Sequence, residues 1–399
     1  ELPARFIDHA ERQLKENTEQ WLNDLRIAYK DIVSFSTPRR LAILIQGIAE
    51  KQATIEEEVR GPSLSIAKDE NGNWTKAAQG FTKGQGKTVH DIFTKEINGS
   101  SYIFIKKQID AKETRRLLPE FKQIITSITF KQTMRWSKYR IRYARPIRWI
   151  VALYDNETIP LEIAGVYSSN KSYGHRFLGK EVTIKHPLDY EKTLLENYVI
   201  ANPLRREEEI INGIKQLEES ENFQVEMDKD LLTEVRNLVE YPTVFYGSFD
   251  PDYLQIPSEV LVTSMKEHQR YFPIINHEGN LLPHFVGVRN GDDFQLQNVI
   301  KGNEKVLKAR LHDAKFFYEE DKKESIEFYT DKLERVVFQE ELGTLKDKTE
   351  RMIQLTKEVQ NHLNLDSEVK ERAIRAAEIC KFDLVTNMVD EFTELQGII

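Results

Sequence analysis

The hydrophobic pattern changes period along the chain. Up to about residue 320, short apolar runs of strand type are interleaved with stretches at helical spacing; beyond it only the helical period remains. A strand shows alternate residues to one face and a helix every third or fourth. Such a pattern dictates an α+β architecture followed by helices. Phe6, Ala10, Leu14, Trp21 and Leu25 mark one long amphipathic helix. Ile32 to Ser36 and Leu41 to Ile45 read as paired strands about a turn at Pro38, and Ser101 to Ile109 as a further strand. In the middle, Glu181 to Ile184, Tyr198 to Ala201 and Thr243 to Phe249 read as strands. Asn202-Pro203 is a helix start, a capping amide before proline at the first helical position, and Ile210, Ile214 and Leu217 continue that helix. Ser258 is placed to cap a helix carrying Leu261, Met265 and His268. Tyr271 to Asn276 and Leu281 to Arg289 form a hairpin around His277-Glu278-Gly279-Asn280.

From about Lys322 the expectation is all helix. Ile326, Tyr329, Leu333 and Val336 share one face, as do Met352, Leu355, Val359 and Leu363; Ala373, Ala377 and Cys380 mark a third helix. The expected division is a mixed α+β domain over 1–165, an α+β middle domain over 166–320, and the start of a helical domain over 321–399.

A chain of 399 residues exceeds one ordinary core, so two or three domains are expected. With 40% apolar and 31% charged residues it is of the folded class. No apolar run approaches the ~20 residues that cross a bilayer. The lone Cys380 excludes an internal disulfide framework and a Cys-rich zinc site, and a reducing cytoplasm is the natural compartment. A net charge of −8 argues against phosphate binding by the surface as a whole.

The charge is strongly segregated, however. Phe121 to Tyr154 holds Lys122, Lys131, Arg135, Lys138, Arg140, Arg142, Arg145 and Arg148 and no carboxylate, with Trp136, Tyr139, Tyr143 and Trp149 interleaved. Cations neutralise phosphates, and aromatic faces stack on unpaired bases. Arg140 and Arg142 alternate as on one face of a strand. The competing reading is a solvated strand face over buried aromatics. A second basic stretch, Lys301 to Phe317, offers Lys305, Lys308 and Arg310 to RNA, with Lys308, His312 and Lys315 at helical spacing over a buried Leu307, Leu311 and Ala314 stripe. His175-Arg176 and His268 with Arg270 are further candidates for an anion or a base edge, against the commoner role of a structural histidine. Gly80 to Thr88 imitates a phosphate loop but carries five residues, not four, between Gly80 and Gly86, after a polar, helix-prone lead-in. No metalloprotease, serine-elbow or dinucleotide motif is present, and Cys380 has no adjacent base. No catalytic residue and no metal ligand is assigned.

The order of short motifs says more than any one of them. TPRRL (Thr37 to Leu41), RGP (Arg60 to Pro62), KAAQGF (Lys76 to Phe81), MRW (Met134 to Trp136) and RP (Arg145-Pro146) are followed by GHRFLG (Gly174 to Gly179) and VEYP (Val239 to Pro242). MKEHQRYFP (Met265 to Pro273), GNEKVLKARLHDAKFF (Gly302 to Phe317), ELGTLKDK and KFDLVTNMVDEFTELQG complete the series. In order and over its whole length, the chain resembles the β subunit of bacterial two-subunit glycyl-tRNA synthetase. The resemblance implies an α2β2 assembly in which the α subunit activates glycine with ATP and Mg²⁺. The β subunit binds tRNA(Gly) and holds no cofactor of its own. It also implies a strand ahead of Glu1, and beyond LQG more helices and an anticodon-binding domain.

The last helices resemble an HD-type domain, and the middle region distantly an editing-type domain. HD phosphohydrolases hold metal through His and Asp; the aligned positions here carry Gln339 and Phe382-Asp383. Glutamine and phenylalanine do not replace imidazole as metal ligands. Two alternatives therefore stand beside the tRNA-binding subunit: a metal-dependent HD-type phosphohydrolase, and an assembly scaffold that does not touch RNA.

Overall fold

The computed structural model of the chain describes residues 1–363 and 365–399. They form two compact units. One comprises Glu1–Leu2, Phe6–Ser172 and Glu181–Thr193; the other comprises Pro3–Arg5, Tyr173–Lys180 and Leu194–Ile399. Mixed α and β structure runs through both, as the changing hydrophobic period predicts.

In the first unit the long helix Ala4–Asp24 lays Ala10 and Leu14 against Ile128 and Tyr143, and Leu22 against Ile27, Ile32 and Leu117. Strands Asp31–Thr37 and Arg40–Gln46 pair in antiparallel register from Asp31↔Gln46 to Thr37↔Arg40, with Pro38-Arg39 as the turn. A second sheet orders Ile55–Ser63, Ser100–Ile109 and Ile92–Ile97 with the middle one central. Its tight turn is Asn98-Gly99, both at positive φ (53° and 77°), the conformation that suits a two-residue hairpin. The flanking strand Ile55–Ser63 carries Glu56, Glu57 and Glu58 and has too few apolar residues to announce itself. Gly61 of RGP sits where a Cβ would meet the rings and branches of Phe81 and Ile103, so the glycine lets KAAQGF pack directly on the strand. The phosphate-loop imitation is resolved as helix: Lys76–Gly84 includes Gly80, whose amide is therefore not part of an open anion cradle.

In the second unit a four-stranded antiparallel sheet orders Gln224–Val225, Phe272–Ile275, Leu281–Asn290 and Pro242–Ser248. Both faces are covered. Val244, Tyr246 and Val286 point toward helices Pro203–Glu221 and Lys229–Leu238; Phe245 and Phe285 point toward helix Leu296–Asp321 and the Ser258–Thr263 turn. This strand alternation puts large apolar side chains on both sides, each fully buried one contributing about 1.5–3 kcal/mol. Asn202 caps Pro203–Glu221 as expected, its Oδ1 accepting from the amides of Leu204 and Arg205 at 3.0 and 3.3 Å.

Four expectations are corrected. Tyr198 to Ala201 is not a strand: Tyr198 has φ 60°, and Ile200 makes one backbone bond, to Glu240. Ser258 does not cap its helix; Pro257 occupies the cap, and the Ser258 hydroxyl turns to Glu259. That helix continues past Thr263 as a π-turn over Ser264–Gln269, which inserts a residue and lets both Met265 and Tyr271 reach the core. The region after Lys322 is not wholly helical, because Val337–Gln339 and Gly343–Thr344 pair. There Tyr329 and Leu333 are buried as expected, but on helix Leu345–Asn361 it is Leu345, Thr349 and Gln360 that are buried. Leu355 and Val359 are exposed. Met388, Phe392 and Leu395 join the core built around Phe285 and Leu307.

Candidate nucleic-acid interface

The basic segment is a loop rather than a strand. Met134 and Tyr143 form an isolated antiparallel bridge, with N–H to O distances of 2.9 and 3.3 Å, that closes residues 134–143 into an irregular turn with Ser137 at φ 53°. Aromatic side chains nail the loop down from inside. Tyr143 is buried, packs edge-on to Phe130 at 4.7 Å, and has its hydroxyl pushed by burial up to about 12. Trp136 and Ile147 pack on the same core as Ala10 and Leu14. The Tyr139 hydroxyl lies over Gly165, where a Cβ would collide with it. Ile141 packs toward Ile150, Leu161 and Ile163, so the neighbours Arg140 and Arg142 are turned outward without any ladder to hold them. Trp149 lies under the guanidinium groups of Arg39 (5.6 Å) and Arg40 (5.9 Å), which places the TPRRL motif on the same segment. These aromatics are committed to the fold and not presented as base-stacking platforms.

The cations face the other way. Lys131, Arg135, Lys138, Arg140, Arg142, Arg145 and Arg148 are all exposed. No ion pair with a carboxylate is formed by any of these seven among the described residues; Arg145 Nη1 donates to the Ala144 carbonyl at 2.8 Å. In contrast, the cations of MKEHQRYFP are neutralised. Lys266 Nζ lies 3.1 Å from Glu226 and 3.5 Å from Asp228, and Arg270 lies 2.8 Å from Glu234. His268 stacks on Phe392 at 5.2 Å. That motif reads as structural.

In the second unit, helix Leu296–Asp321 buries Leu307, Leu311 and Ala314 as expected. Lys301, Lys305, Lys308 and His312 recur every third or fourth residue along one exposed stripe, spanning about 16 Å at 1.5 Å per residue. None of them has a carboxylate partner among the described residues. Arg310 is separated from this stripe: it points to the other flank, where it meets Glu391 at 3.7 Å. Lys315 lies 4.0 Å from Glu319.

His175 is withdrawn from any interface. It is buried, its Nδ1 accepts from the amides of Phe177 and Leu178 at 3.4 and 3.3 Å, and its Nε2 lies 3.1 Å from Asn290 Oδ1. With Nδ1 facing two backbone donors, Nε2 is the ring nitrogen turned to the Asn290 carbonyl oxygen. Its neighbour Arg176 remains exposed.

The positions compared with HD-type metal ligands make local backbone contacts. Gln339 is exposed and its Oε1 accepts from the amides of Glu341 and Leu342, both at 2.8 Å. Asp383 is buried and accepts from the Gly397 amide at 2.7 Å. No cluster of three or more His, Cys, Asp or Glu able to hold a metal occurs among the described residues. No helix among them is long and apolar enough to cross a membrane.

Two functional-looking side chains escape sequence reasoning. Arg206 is fully buried and donates to the carbonyls of Arg236, Ile200 and Ala201 at 3.0, 2.7 and 3.3 Å. Asp321 accepts from the amides of Asn387 and Met388, from Asn387 Nδ2 and from the Tyr329 hydroxyl at 2.8–3.0 Å. Both lie within ordinary charged stretches, and nothing in their local pattern marks them.

The chain is similar to proteins named glycine–tRNA ligase beta subunit. It is 59% identical to that of Oceanobacillus iheyensis, 53% to that of Halalkalibacterium halodurans and 49% to that of Bacillus subtilis. Each comparison covers 100% of this chain but only 57–59% of the relative, so the chain spans less than two thirds of their length. The family model described as glycyl-tRNA synthetase beta subunit matches residues 1–399 without a gap at either end, and the chain therefore belongs to the glycyl-tRNA synthetase beta subunit family.

Proposed function

We propose that this chain is the tRNA-binding portion of the β subunit of a glycine–tRNA ligase. The observation that carries the reading is the anchored loop of residues 131–148, with seven exposed cations that have no carboxylate partner among the described residues and its aromatics turned inward. Such a surface attracts phosphates and releases their condensed counterions, which gives affinity without demanding a sequence. The Lys301–His312 stripe is a second, shorter track of the same kind. In this reading the protein works with an α subunit in an α2β2 assembly. The α subunit activates glycine with ATP and Mg²⁺, and this chain, which binds no cofactor, holds tRNA(Gly) so that its acceptor end meets the activated glycine. Fixing the orientation of a large substrate contributes to rate through proximity alone. A cytoplasmic site of action goes with this role.

The finer assignments belong to the same proposal. Residues 321–399 are read as an HD-type relative that no longer holds metal, which the exposed Gln339 and the backbone-bonded Asp383 support. In the three-part division proposed at residues 165 and 320, the second boundary follows the change of hydrophobic period. The test is reconstitution: full-length β subunit with its α subunit should charge tRNA(Gly), and this chain alone should form no glycyl-adenylate. Adenylate formed by the isolated chain would place catalysis on it and refute the division of labour.

A further inference from the structure

The GHRFLG loop is built to hold one aromatic ring in solvent. Gly174 N–H donates to the Lys180 carbonyl at 2.7 Å, Gly179 N–H to the His175 carbonyl at 2.9 Å, and His175 N–H to the Asn197 carbonyl at 2.9 Å. A Cβ on Gly174 would strike Asn197 and Gly179, and one on Gly179 would strike the His175 amide and the Asn197 carbonyl; both glycines are required by the closeness of the backbone. The buried His175 fixes the tip from beneath through the Phe177 and Leu178 amides. Asn290 Oδ1, which meets His175 Nε2, also accepts from the Glu240 amide at 2.8 Å and the Tyr241 amide at 3.3 Å, tying the loop to the sheet.

At the tip of this rigid turn Phe177 is 83% exposed, the highest value among the large apolar side chains of the described residues. The Arg176 guanidinium lies 5.7 Å from its ring. From Tyr173 to Lys180 there is no carboxylate, and Arg176 and Lys180 are both exposed. An apolar protein contact needs a contiguous apolar surface around its anchor; here a guanidinium lies beside the ring. A rigidly held, exposed aromatic ring on a basic loop is an arrangement that stacks on a nucleobase.

From this geometry we infer that Phe177 is a stacking residue for a single unpaired nucleobase of the bound tRNA, with His175 and Asn290 as positioning residues. The base must be unpaired, because a base inside a helix has no free face. The inference rests on the tRNA-binding reading above and adds to it a base contact, where the anchored loop offers only phosphate contacts.

The test uses full-length β subunit with its α subunit and compares F177A, F177W and the R135A/R140A/R142A variant. The binding probe is tRNA(Gly), unlabelled and carrying a fluorescent base analogue at its unpaired positions. F177A should weaken tRNA binding by about five- to 160-fold, the range of one lost stack, with the salt dependence unchanged. It should also abolish the quenching of the analogue at one position, and F177W should restore both. If F177A binds normally while the triple variant is weakened, stacking is overturned and the tRNA reading stands. If neither variant is weakened, both are overturned. If F177A binds tRNA normally but no longer assembles with the α subunit, the loop is a protein contact and the inference fails.

Discussion

Replacing Arg135, Arg140 and Arg142 together by alanine removes three of the seven unpaired cations on the anchored loop. Each cation that neutralises a phosphate contributes roughly −0.7 to −0.9 to the slope of log affinity against log salt. Loss of three such contacts should flatten the slope by about 2 to 3. Between 50 and 200 mM salt, that difference alone changes the ratio of the two affinities by roughly 20- to 40-fold, so the variant should look worst at low salt. The fold should not suffer. All three side chains are exposed and hold no carboxylate, whereas Trp136, Tyr143 and Ile147 supply the loop's packing. Surface changes of this kind stay within about 0.5 kcal/mol of wild type. The assay is a tRNA-binding isotherm at four or more salt concentrations, paired with a urea melt. A folded triple variant with wild-type affinity and wild-type slope would refute the reasoning. It would mean that the loop is a solvated surface whose cations face only water.

Two other outcomes follow from single side chains. Asp321→Ala should destabilise the second unit by about 2–3 kcal/mol in urea, because the amides of Asn387 and Met388 lose a charged acceptor; Asp321→Asn should recover part of that, and equal losses for both variants would contradict the acceptor role. Burial holds the His284 imidazole below its usual value, opposed by the Glu221 carboxylate, and its Nδ1 lies 2.9 Å from Ser248 Oγ. The folded chain then binds fewer protons there than the unfolded one. The stability it contributes is complete above the ordinary value of 6.5 and is lost as pH falls from there through the folded value. Urea melts at pH 5 and 7.5 should show a smaller pH effect for His284→Asn than for wild type, and identical pH effects would exclude this linkage.

Local pattern determined much of what is seen. The Ala4–Asp24 helix, the Pro38 hairpin, the Asn202-Pro203 helix start, the hairpin before Asn290 and the buried stripe of Leu307, Leu311 and Ala314 were all legible. Each is set by side-chain period or by a turn residue acting within a few positions of itself. The ordered motifs determined the family, and the eight cations from Lys122 to Arg148 marked the candidate interface. Tertiary structure alone decided how those residues divide the work. Aromatics interleaved with arginines look the same whether they stack on bases or on a core; only the packing of Tyr143, Trp136 and Trp149 shows that they anchor. His175 and Arg176 are adjacent in the chain, yet one closes the loop from within and the other stands outside. Arg310 shares its helix with Lys305 and Lys308 but meets Glu391, which is 81 positions away and invisible to any local window. Burial, pairing and exposure are properties of what a side chain meets in space, and for these residues the deciding partner is distant in sequence.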